Sequence, residues 1–178
     1  MEHGDPKALA GMQPKWRYGS PQEGSALPTS ANAPASLTVA TLANMTYRFG
    51  EGKSATTVKL VDSKGRDEGE QFLLDRDHVA FGDLDGDGVD DAVVVLVSSG
   101  GGSGVFYSLV AVMQRNGRLE TPAVRSLGDR IKINEINIRN DIVTVDMITQ
   151  GPNDPLCCPT ERQMLKLAVR GNKFVPVE

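Results

Sequence analysis

Asp83-Leu84-Asp85-Gly86-Asp87-Gly88-Val89-Asp90-Asp91-Ala92-Val93-Val94-Val95-Leu96-Val97 joins an acidic, glycine-punctuated loop directly to an uninterrupted apolar run. Carboxylates stand at the first, third, fifth and ninth positions, and glycine at the sixth. Calcium takes about six to eight oxygens at roughly 2.3–2.6 Å, and alternate side chains of a turning backbone converge on one point. The plainer reading is an acidic surface turn, since Asp and Gly are common turn formers and runs of like charge are usually solvated. Against it stand the strict alternation, the glycine placed where the loop reverses, and the apolar run that follows. Carboxylates about 4 Å apart repel by roughly 1 kcal/mol per pair even in water, so the spacing calls for a counter-cation. The expectation is Ca2+ held by the side chains of Asp83, Asp85, Asp87 and Asp91 and by the carbonyl of Val89, with Asp90 turned to water.

The apolar run decides the fold class. An EF-hand needs flanking helices and a bidentate glutamate at loop position twelve, and here that position is Val94, inside a β-branched stretch. A strand therefore follows the loop. Further β-favouring runs lie at Met45–Phe49, Thr56–Val61, His78–Phe81 and Val105–Gln114. Asn116-Gly117 supplies a hairpin turn before Arg118 and Leu119. Residues 131–138 alternate apolar and polar on either side of a shift at Glu135, which predicts a half-buried strand with a bulge. Ile142–Ile148, Met164–Val169 and Phe174-Val175 complete the series, and Gly100–Gly104 reads as a hairpin connection rather than an anion cradle. Ser36–Asn44 fits either a short helical turn or a strand. The prediction is an all-β, mainly antiparallel single domain over residues 36–178, a sandwich or partly closed barrel carrying an inserted calcium loop. A parallel sheet would need crossover helices, which the pattern lacks.

From Ala80 to Ala92 the chain resembles the calcium loop of FG-GAP repeats, found in integrin α-subunit propellers and many bacterial exported proteins. The resemblance covers about fifteen residues. It implies Asp83, Asp85, Asp87 and Asp91 as side-chain ligands and Val89 as a carbonyl ligand. Propellers repeat their blades, and this chain has a single copy of the loop. Dockerins pair two such loops with helices, a pattern also missing. More loosely, Leu42-Ala43-Asn44, the loop, the glycine run and residues 151–160 are similar to a group of uncharacterised bacterial exported proteins or lipoproteins. That implies a periplasmic, cell-envelope or extracellular location, and a domain placed there is expected to have a cell-envelope protein or glycan as its partner.

The 178 residues carry a net charge of −4, with eleven acids against three basic residues over 62–91. This concentrates negative potential around the loop and gives no footprint for nucleic acid. No apolar run reaches the roughly 18–20 residues needed to cross a bilayer. A charged-then-apolar signal segment is missing at Met1, and a chain that starts after a removed signal reads the same way. Residues 1–35 hold five of the ten prolines, with Trp16 and Tyr18 almost their only large side chains, and predict a flexible leader.

Cys157 and Cys158 are the only cysteines and are adjacent. In an oxidising compartment they predict a vicinal disulfide that stiffens the turn from Pro155 to Pro159; a redox or soft-metal site is the alternative. His78 is the one histidine inside the expected fold, His3 lying in the leader. Gly50-Glu51-Gly52-Lys53-Ser54 lacks the P-loop's earlier glycine, that position being Tyr47. Taken together, these residues point to a calcium-stabilised, non-catalytic binding or structural domain. Two alternatives stand beside it: a metal-assisted hydrolase using His78 or Asp75, and a calcium-dependent carbohydrate- or peptide-binding module.

Overall fold

The computed structural model describes residues 36–49 and 56–178. The expected leader at 1–35 and the glycine-lysine-serine segment at 50–54 lie outside the described residues.

The described chain is antiparallel β-structure with one short helix, α1 (Val39–Leu42). Its strands are β1 (Thr46–Phe49), β2 (Thr56–Lys59), β3 (Lys64–Asp67), β4 (Glu70–Gly82), β5 (Asp91–Ser99), β6 (Phe106–Arg115), β7 (Arg118–Asp129), β8 (Lys132–Arg139), β9 (Ile142–Thr149), β10 (Glu161–Arg170) and β11 (Lys173–Pro176). A five-stranded sheet has the order β3-β4-β5-β6-β7, a four-stranded sheet the order β11-β10-β9-β8, and β1-β2 form a separate hairpin. The predicted all-β antiparallel class is what the chain adopts.

The five-stranded sheet is covered on both faces. Val93, Val95, Leu109, Ala111 and Met113 face the four-stranded sheet, where they pack with Val143, Val145, Leu167 and Phe174. Ala92, Val94, Leu96, Val110 and Val112 face the other way, onto Leu42, Tyr47, Val58 and Leu60 of the helix and hairpin. Burial on both faces explains why β5 is apolar without alternation from Ala92 to Val97. The two sheets also approach one another at β4 with β8 and at β7 with β11, so the first core is enclosed at both sides.

Ser36–Asn44, open between helix and strand in the sequence, becomes α1. Thr38 caps it by accepting a hydrogen bond from Thr41 N–H. Tyr47 O–H donates to Leu42 C=O at 2.7 Å, tying helix to hairpin, and burial pushes its phenol well above the ordinary value. The bulge expected at Glu135 is present as a register shift between Ile133 and Glu135. Asn116-Gly117 forms the tight β6–β7 turn with positive φ at both residues. Gly100–Gly104 lies in the β5–β6 hairpin connection.

Two stretches differ from the sequence expectation. Strand β3 and the first half of β4, rich in Lys, Arg, Asp and Glu, pair around a Glu68-Gly69 turn. Strand β7 runs to Asp129 in spite of Pro122, which is tolerated because β7 is the edge of its sheet.

Candidate metal centre

Strands β4 and β5 pair as far as Gly82 and Asp91, and residues 83–90 close the hairpin between them. Gly86 and Gly88 both take φ +81°, a backbone conformation that side chains with a Cβ disfavour. Leu84, fully buried in the core between the two sheets, pins the loop from below. Asp83 is half-buried, and residues 85–90, including Val89 and Asp90, are exposed.

Asp83 organises the turn. Its Oδ1 accepts hydrogen bonds from the N–H of Asp85 (3.1 Å) and Gly86 (2.6 Å), and its Oδ2 accepts one from Gly88 N–H (2.9 Å). The Gly88 and Gly86 amides hold its carboxyl below the usual range. Asp91 is the buried member, 2 % exposed. Its Oδ2 accepts from Leu84 N–H at 3.0 Å and its Oδ1 from Gln114 N–H at 2.9 Å, which fastens the loop to the end of β6. Burial pushes the Asp91 carboxyl above its ordinary value, and the charges of Asp85 and Asp87 act in the same direction; the two amides oppose them.

Oxygen atoms of Asp83, Asp85 and Asp91 lie within 4.8 Å of one another, a group able to hold a metal ion. Of the expected ligands, these three come together. Asp87 stands outside the group, with its Oδ1 accepting from Val89 N–H at 2.8 Å.

Two neighbours had no sequence signal. Arg115, at the end of β6, places Nη2 3.3 Å from Asp85 Oδ2. Asp141, in the β8–β9 turn, lies beside the loop: a Cβ built on Gly86 would be 4.0 Å from Asp141 Oδ2. Arg115 arrives through strand pairing and Asp141 through the approach of β8 to β4, both from more than twenty residues away, which spacing within the loop does not encode.

The other candidate residues lie elsewhere. His78 Nδ1 is 2.7 Å from Asp75 Oδ2, at the bulge where β4 loses register with β5. Asp75 pairs with Val95, four residues along β5 from Asp91, a separation of roughly 13 Å at strand rise. The pair therefore does not converge on the acidic cluster. Cys157 and Cys158 are joined by a disulfide in an exposed loop. Asp154 organises that loop, accepting from the N–H of Gly151 and Thr160 and from the Thr160 hydroxyl.

Among the described residues no helix is long and apolar enough to cross a membrane. Comparison with known proteins finds no matching family model, no matching curated protein and no matching solved structure.

Proposed function

We propose that this chain is a calcium-stabilised β domain of the cell envelope or exterior, acting as a binding or structural element without catalysis. The supporting observation is the convergence of Asp83, Asp85 and Asp91, with Asp91 fixed by two backbone amides. An all-oxygen donor set suits a hard dication such as Ca2+. Asp87, which stands outside the carboxylate group, and the carbonyl of Val89 would close in to complete the shell, as the resemblance to FG-GAP loops suggests. Asp91 belongs both to this cluster and to the β5 end of the β4–β5 hairpin, so the ion joins loop to sheet and stabilises the folded state by mass action. The exported location follows from the same resemblance and agrees with the oxidised Cys157–Cys158 pair.

Thermal unfolding across a calcium series, after exhaustive chelation, tests the reading. The melting temperature is expected to rise with calcium in the wild type and to stay flat in the Asp85→Ala, Asp87→Ala double variant. A wild-type melting curve indifferent to calcium overturns it.

A further inference from the structure

A groove of about 1070 Å³ lies alongside β7, bounded by β1 on one side and by β10–β11 on the other. Arg48, Arg115, Arg125, Arg170 and Lys173 line it, against the single carboxylate of Glu120. These cations come from strands distant in sequence, so the chain's overall acidity hides their convergence. Like charges gathered in a concavity focus positive potential.

Three of the guanidiniums lack a counter-ion within the groove. Among the described residues Arg125 enters no ion pair. Arg170 Nη1 donates to its neighbour's carbonyl, Val169 C=O, at 3.0 Å. Arg115 pairs with Asp85, which belongs to the acidic loop. Arg125 also sits on the core-facing side of β7, paired with Leu109, where an apolar residue would be expected if packing alone decided the position. Guanidinium is the side chain best matched to planar, two-point recognition of carboxylate and phosphate. Phe174 and Leu119 add apolar wall, and Thr121 adds a hydroxyl.

We propose that this groove binds a small molecule carrying two or more phosphate or carboxylate groups. An extended acidic peptide is the competing occupant, because β7 and β11 are both terminal strands of their sheets. Pro122 removes a donor from the middle of β7, and Thr121 Oγ1 already accepts Arg48 N–H at 3.1 Å, so this edge is a poor template for an added strand. The groove needs no cation in the acidic loop to act this way.

Calorimetric titration of the full chain with tripolyphosphate and with citrate separates phosphate from carboxylate preference. Binding of at least one anion is expected, and it should weaken at least about tenfold in Arg125→Gln/Arg170→Gln. Arg66→Gln, on β3 at the opposite edge of the sheet, should bind like wild type. Amide shifts of Thr121 and Asn172 on titrating the wild type give a second readout that does not depend on the variant folding. Three results overturn the proposal: neither anion binds; Arg66→Gln weakens binding as much as the groove variant; or a glutamate-rich decapeptide binds the groove more tightly than either small anion.

Discussion

Arg115 and Asp85, thirty residues apart, meet at 3.3 Å where the end of β6 reaches the acidic loop. The guanidinium therefore places a positive charge beside a carboxylate of the proposed calcium shell. It is also a wall of the basic groove, so one side chain serves two regions of opposite sign.

That position makes Arg115 a competitor of any bound cation. Arg115→Gln should tighten calcium binding about fivefold, the equivalent of roughly 1 kcal/mol for one unit charge a few ångströms away near solvent. The cost to metal-free stability should stay under about 1 kcal/mol, because both partners are partly exposed. Calorimetric calcium titration of the two proteins decides it, and an unchanged or weaker affinity would show that the pair is unrelated to the ion.

Asp91 and Asp85 should separate architecture from metal binding. Asp91→Ala strands the N–H of Leu84 and Gln114 and should cost about 2–4 kcal/mol in urea unfolding with chelator present. Asp85→Asn should leave that chelated stability within about 0.5 kcal/mol, its carboxylate making one long ion pair. Equal losses in the two variants would contradict the division of roles.

At Gly82, β4 lies directly against Ile138 of β8. A Cβ there would lie 2.9 Å from Ile138 Cγ2. Gly82→Ala should destabilise by about 1–3 kcal/mol through overpacking. Combining it with Ile138→Ala should cost less than the sum of the two single changes, since the truncation removes Cγ2, the atom nearest the new methyl, and leaves only the Cβ contact at 3.0 Å. Strict additivity in denaturant melts would mean that the contact does not carry the strain.

Acid should weaken the sheet through Asp146. The Arg162 guanidinium, with Nε at 3.0 Å and Nη2 at 2.7 Å, holds its carboxyl below the usual range, assisted by Asn134. A carboxyl depressed in the folded state stabilises fully above its unfolded value, near pH 4, and loses that contribution as pH falls through the folded value. Arg162→Gln should therefore be less stable at pH 7 and show a shallower decline below about pH 4. Parallel stability curves for variant and wild type would rule out this pair as a source of the acid sensitivity.

Much of the strand order can be read locally. The β8 bulge at Glu135 shows in the broken alternation of four isoleucines, and the β6–β7 turn shows in Asn116-Gly117. Strand β3 and the start of β4 do not show, because Lys64, Arg66, Asp67 and Glu70 have little intrinsic preference for a sheet. Their ladder exists because β4 is already paired along its length with β5, whose Asp91–Leu96 stretch is buried. Pro122 conceals β7 in the same way, reading as a break until its place at a sheet edge is known.

The order of residues by itself determined the turning loop, the strand after it and the antiparallel character of the chain, since each rests on contacts a few positions apart. Tertiary structure alone decided that β5 is covered on both faces, that Asp91 is held by Gln114 N–H, that Asp87 stands outside the carboxylate group, and that five cations share one groove. Those outcomes depend on which sheet edges meet. That is set by long-range burial of apolar faces, for which no short stretch of sequence carries a record.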